Sequence, residues 1–403
     1  MPVQHVSAQE INGIDRPRVL QMVDITISIA SYNTRALLRN CLKAVYRYAD
    51  GLSLEVIVVD NASMDGSPEM VKEVFPSAIL VNNTRNVGFG RAHNQAFQIS
   101  KGRYFLILNS DAELHAGTLR EMVGFMDHHR DAGIAGCKTF LDTDNTFLFP
   151  KHPVPSIWNY VMLYTDICGR FPRSPICTEF MNHSYRLWSA SRPVVVDGVD
   201  GGAMIIRRET FEETGGFDPQ FFLFFEEDDL FLRARRSQWR LYYLPQTSVS
   251  HYHAGSHKNQ RIGDIASRSK RHYFLKHYGV IGWGVTIAMD ILWHRLTPFF
   301  ERLRPDLERL SHLPYDLYET EGRLKIPVPS PDKGDMQLME LSTNRAFSPR
   351  AGAFIHGDEF IFTSDMLKRF VSDSFYWRIV TISKEGHLKK TGKTGRVLIH
   401  KNA

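Results

Sequence analysis

Cysteine is scarce in this chain. Cys41, Cys137, Cys168 and Cys177 form no CxxC pair, so a reduced cytosolic protein with structural thiols is expected. No run of about 20 uninterrupted apolar residues occurs, and no membrane-spanning helix is expected. The opening MPVQHVSAQEINGIDRPRV lacks an apolar core and does not read as a signal peptide. Internal repeats and low-complexity tracts are absent. GxGxxG is missing after the first strand-like run, where the chain has SYNTRA; that discounts a dinucleotide oxidoreductase. A large charge excess is lacking too. A net charge of +5 suits anionic partners such as phosphates or a membrane surface, and nucleic acid is not an expected partner.

What is present is enough for two or three domains. Hydrophobic residues make up 43% of the 403, so at least one full core can be buried. From Val23 apolar strand-like runs alternate with helical spacing: VDITISIA, LEVIVVD, AILVNN, RYFLILN and AGIAGC are separated by TRALLRNCLKAVYRYA, SPEMVKEVF, GRAHNQAFQIS and GTLREMVGFMDHH. That order predicts a parallel sheet with helices on both faces. Residues 140–195 are irregular and rich in Pro and aromatics. A strand is expected near 203–207, a helix over 208–214 and another over 228–238. Residues 280–305 suit a helix packed on the domain or lying in a membrane interface. From about Leu313 short β-like runs predict a small all-β domain, and YWRI resembles fibronectin-type sandwiches. The expected division is an N-terminal extension (1–22), an α/β domain (23–279), a helical linker (280–312) and a β-rich domain (313–403).

Ligands of such sheets bind beyond the C-terminal strand edge. Polar residues gather there: Ser31 to Asn33, Asp60 to Ser63, Asn82 to Gly90 and Asn109 to Asp111. Any one of these groups is explained by an ordinary loop or cap; four in succession point to a site. Asn109 and Asp111, two apart at a strand end, point the same way on an extended chain and offer oxygens to Mg²⁺ or Mn²⁺. Asp60 could accept from a ligand N–H or hydroxyl. Gly201 and Gly202 would let backbone approach a ligand closely. In FFLFFEEDDLFLR, four carboxylates, Glu226 to Asp229, follow a bulky apolar run. Burial and mutual repulsion raise carboxyl pKa values, as a general base requires. Acids in a helix first turn also suit the helix dipole, a purely structural use of Asp228 and Asp229.

Seven runs, in order, carry a resemblance: ISIASYN, VVDNASMDGS, NVGFGRAHNQA, LNSDAEL, GGAMIIRR, GGFDPQFFLFFEEDDLFLR and HYHAGS. Together residues 23–279 resemble a family 2 glycosyltransferase with the GT-A fold, in its bacterial rhamnosyltransferase-like branch. The resemblance implies nucleotide and donor contacts from Ser31, Tyr32, Asn33, Asp60, Asn86, Gly88, Arg91, Asn109, Asp111, Gly201 and Gly202. It puts the metal-binding DxD motif on Asn109-Ser110-Asp111, where Asn replaces the first Asp and one charge is lost. It adds His251 as a further ligand, which suits Mn²⁺ better than Mg²⁺. It places the general base on Glu227, with Asp229 and Glu226 as the other candidates and Asp229 the more structural acid, in reach of Arg233. Arg268, Lys270 and Arg271 are candidates to neutralise a diphosphate.

The implied reaction is inverting transfer from dTDP-rhamnose or a UDP-sugar to a glycan or lipid-linked acceptor. It would run in the cytoplasm, with membrane-surface contact and oligomerisation through the β domain both open. A non-catalytic nucleotide-sugar or glycan-binding relative is the alternative.

Overall fold

The structure is a computed structural model that describes residues 23–142, 144–149, 154–164, 175–252, 262–310, 316–320, 324–342, 351–363, 366 and 374–399. The N-terminal extension, Cys168 and the last four residues of HYHAGS lie outside the described residues.

Four parallel strands, β1 (Ile25–Ser31), β2 (Leu54–Asp60), β3 (Ile79–Asn82) and β4 (Tyr104–Asn109), pair in the order β3-β2-β1-β4. The sheet continues through β5 (Ala112–Leu114), β6 (Ala132–Phe140), β7 (Val194–Val196), β8 (Ala203–Arg207) and β9 (Arg240–His251), in the order β4-β8-β6-β9-β5, with β7 beside β9. Side chains alternate across the sheet. Ile25, Ile27 and Ile29 meet Leu38, Cys41, Leu42 and Val45 of the helix Arg35–Arg47 on one face. Phe105 and Ile107 meet Ala92, Ala96, Phe211 and Phe217 on the other. Full burial of each large apolar side chain contributes about 1.5–3 kcal/mol.

The sheet is mostly parallel, as expected; β8 runs antiparallel between β4 and β6, and β5 and β7 run antiparallel to β9. Apolar alternation reports that a strand exists, and not its direction after the long excursion through residues 141–202.

Ile262–Leu310 is helical on either side of Gly279, where a non-helical backbone of φ 65° and ψ −160° separates two helices. Beyond them come β10 (Asp316–Thr320), β11 (Leu324–Pro327), β12 (Met336–Ser342), β13 (Ala351–Phe354), β14 (Glu359–Phe362), β15 (Ser374–Ile382) and β16 (Leu388–Ile399). They form a five-stranded sheet, β10-β16-β15-β12-β13, and the pair β11-β14. The two pack face to face, with the Phe362 and Phe375 rings 5.3 Å apart over Met339, Trp377 and Ile379.

The segment that reads as irregular is the seam between the two parts. It includes the helices Ile157–Tyr164 and Pro175–Ser189. Leu148 N donates to the Gly352 carbonyl at 2.7 Å, Leu388 N to Asn182 Oδ1 at 2.9 Å, and the Tyr185 hydroxyl to Glu340.

Candidate active site

Strand register builds the rim. Ser31 pairs with Asp60, Asp60 with Asn82, and Ala30 with Asn109. Leu108 pairs with Ala203, which brings Gly201-Gly202 beside the end of β4, and Asn109 N donates to the Gly202 carbonyl at 2.9 Å. Ala112 pairs with His251, adding the end of β9.

At the β1–β2 end Asp60 is buried. Its Oδ2 accepts from Ser63 N at 2.8 Å, while its Oδ1 is buried with no hydrogen-bond partner. Tyr32 stands beside it, 39% exposed. Asn33 takes a left-handed φ of 54°, which Asn tolerates; its Oδ1 accepts from Met64 N and its N donates to Ser63 Oγ. Ser31 Oγ, Thr34 Oγ1 and Ser110 Oγ form a buried hydroxyl chain, at 3.1 and 3.0 Å, from β1 to the loop after β4. Thr34 is not singled out by the sequence reading; its signal is proximity across strands, which only register reveals.

Asn109, Asp111 and His251 come together. His251 Nε2 lies 3.1 Å from Asn109 Nδ2 and 3.3 Å from Asp111 Oδ1. Burial pulls the His251 pKa down, but the Asp111 hydrogen bond and the charges of Asp200 and Asp111 outweigh it and raise the value. Among the described residues no group of three or more His, Cys, Asp and Glu is placed to hold a metal. The trio nevertheless fits a divalent cation: Asn109 Oδ1 is buried without a hydrogen-bond partner, and an O,O,N donor set suits Mn²⁺.

The four carboxylates open the helix Glu226–Arg236 and have separate surroundings. Glu226 is buried, and desolvation together with the charge of Asp228 pushes its pKa up to about 8. Glu226 thus turns into the protein. Burial favours its protonated form. Asp229 is also fully buried. Burial alone would raise its pKa, but the His277 hydrogen bond at 2.7 Å, the Arg233 charge and Lys276 at 2.7 Å hold it far below the usual carboxylate range. Glu227 is only partly buried, and its carboxylate lies over Gly201, where any Cβ would overlap it. A Cβ on Gly202 would overlap the His251 ring. Gly201 and Gly202 are chain neighbours, so the acid and the His251 end of the Asn109–Asp111–His251 trio approach one dipeptide.

The backbone entering this helix is strained. Phe224 and Phe225 both have positive φ, 69° and 67°, which is rare for bulky residues. The strain is held from two sides. On one, Arg91 Nε donates to the Pro219 carbonyl at 2.8 Å, Phe89 N to the Phe222 carbonyl at 2.9 Å, and Asn94 Nδ2 to the Phe217 carbonyl at 2.7 Å. Gly88 presses on the Phe222 carbonyl, and Asn86 Oδ1 accepts from Gly88 N. Of the residues expected at the nucleotide, Arg91 and Gly88 thus also meet the loop before the acid helix, and Asn86 bonds Gly88. On the other side, Ser269 Oγ donates to the Leu223 carbonyl at 2.8 Å, and Lys276 pairs with Asp218 and Asp229. Of the candidate cations, Lys270 and Arg271 pair with Asp290 at 2.6 and 3.8 Å, and Arg268 Nε donates to the Asp264 carbonyl.

Residues 26–215 match the family model described as Glycosyl transferase family 2. An N-acetylglucosaminyl-diphospho-decaprenol L-rhamnosyltransferase of Mycobacterium tuberculosis is 26% identical over 307 residues, 73% of this chain and 92% of that protein. A succinoglycan biosynthesis protein of Rhizobium meliloti is 30% identical over 108 residues, 27% of this chain and 31% of that protein. Among solved structures, a mannosyltransferase of Pyrobaculum calidifontis in complex with GDP-Man and Mn²⁺ is similar at 19% identity and a TM-score of 0.40, over 66% of this chain and 73% of that chain. Residues 26–215 thus match a family 2 glycosyltransferase domain laid out on a mostly parallel sheet, and the chain is similar over 73% of its length to a rhamnosyltransferase.

Proposed function

We propose that the chain transfers a sugar, with inversion, from a nucleoside-diphosphate donor to a hydroxyl of a lipid-linked glycan. The observation that carries this reading is the approach of two groups to one dipeptide: Glu227 at Gly201, and at Gly202 the His251 ring, which also meets Asp111 and Asn109. Asp60 Oδ1, buried and unpartnered, would accept from the nucleobase or ribose, and Tyr32 offers a face for the base. A divalent ion held by Asp111, Asn109 and His251 would neutralise the leaving diphosphate. Glu227 takes the acceptor proton as the new C–O bond forms at the anomeric carbon and the bond to the diphosphate breaks. The two glycines admit the sugar beside these groups.

The rhamnosyltransferase relative's name points to a deoxyhexose donor such as dTDP-rhamnose and to a diphospho-polyprenol acceptor; a UDP-sugar is the second donor. Cys41 and Cys137 are buried free thiols, in keeping with a cytoplasmic enzyme working at the inner membrane face. A panel of nucleotide sugars, incubated with a lipid-linked acceptor with and without Mn²⁺, tests the reading. Metal-stimulated transfer from one donor supports it. Donor binding without turnover under every condition would favour a non-catalytic binding protein.

A further inference from the structure

The helix that follows Gly279 has its apolar side facing out. Val280 and Ile281 are 73% and 77% exposed, and one 11-residue repeat on, Ile291 and Leu292 are 50% and 45% exposed. Eleven residues span about three turns, so the two pairs lie on one stripe. The opposite side is the polar one: Thr286 is fully buried, and Asp290 accepts from Lys270 and from the Tyr160 hydroxyl. Trp283 is exposed beside the stripe. The cations Arg268 and Arg271, before Gly279, and Arg295, after it, are exposed. Among the described side chains of the two helices the carboxylates are Asp264, before the stripe, and Asp290, paired with Lys270.

We infer that this face docks on an anionic lipid bilayer surface. Contiguous exposed apolar surface calls for a partner. Trp at the rim and Arg nearby match the chemistry of an anionic headgroup layer. No helix among the described residues is long and apolar enough to cross a membrane, so this one lies in the interface plane. The helix before Gly279, tied to this one by the Lys270–Asp290 pair, holds the acid loop through Ser269, Lys276 and His277. Docking therefore orients Glu227 with respect to the lipid surface.

The inference stands without the proposed acceptor, and its test contains no sugar. The full chain is floated with vesicles of phosphatidylglycerol and phosphatidylcholine, and with phosphatidylcholine alone. Binding is expected to the anionic vesicles, weaker to the neutral ones and at high salt. Val280→Ser with Ile281→Ser is expected to lower partitioning about tenfold or more while leaving the circular dichroism unchanged. The proposal is overturned by a chain that stays off both vesicles, by equal binding to both, or by a double variant that floats like the parent. A concentration-dependent dimer that the double variant abolishes, without vesicle binding, would give the face to a second copy instead.

Discussion

The polar rim at the strand ends and the acid loop are built in opposite ways. The rim needs little beyond strand register: once Ser31 pairs with Asp60 and Ala30 with Asn109, the polar ends line up. The acid loop has no such ladder. Its left-handed Phe224 and Phe225 persist because residues 88–94 and 269–277 grip the loop from elements far apart in sequence. The lesson is that donor binding should be robust and local, whereas base placement should depend on distant contacts.

The sharpest separation is expected from Glu227→Gln, which should lower turnover about 10²- to 10⁴-fold while leaving nucleotide affinity unchanged in calorimetry. Turnover at the parent level would remove the base assignment. Gly201→Ala comes next. Its methyl overlaps the Glu227 carboxylate, and a displacement of about 1 Å can cost about 10²-fold in turnover; nucleotide binding at the Asp60 end should survive.

Asp229→Asn should act through the loop. Removing one partner of a buried ion pair costs about 3–5 kcal/mol, measurable by urea unfolding at pH 7. Because the Asp229 pKa is depressed in the fold, its contribution is present above the unfolded carboxylate value and fades as pH falls through the folded one. The variant's stability should accordingly lose part of its acid dependence. Asp60→Asn strikes the rim instead: nucleotide affinity should fall about tenfold, the scale of one charged hydrogen bond, with the unfolding midpoint little changed.

The smallest effect is expected from Glu226→Gln. The Glu226 pKa is raised to about 8, so its stabilising effect is complete below the unfolded value near 4 and is lost as pH rises toward 8. The variant should flatten that decline between pH 5 and 8 and keep most activity. A large activity loss would move the base to Glu226.

These contrasts also explain what the sequence could disclose. β1 to β4 were legible because each apolar run ends in a polar residue, and their register then needs no further information. The helix Glu226–Arg236 was legible as an acidic first turn. The Asp229–Arg233 pair, at i,i+4, was within reach of sequence reasoning; the Lys276 and His277 contacts to Asp229, 47 and 48 residues away, were not. The three-residue β5 and β7 are too short to show a period. The segment 140–195 gave no pattern because it serves two cores at once, Phe147 joining the β part and Leu187 the α/β sheet. Which of four adjacent acids would be buried depended on the strained turn at Phe224 and Phe225, which no spacing rule announces.

The central claim is a single displacement driven by one carboxylate opposite the leaving diphosphate. It is tested most directly by the anomeric configuration of the transferred sugar, read by NMR in the product made from a donor of known configuration. Inversion is the predicted result. Retention would require a second displacement through a covalent intermediate and would contradict the account.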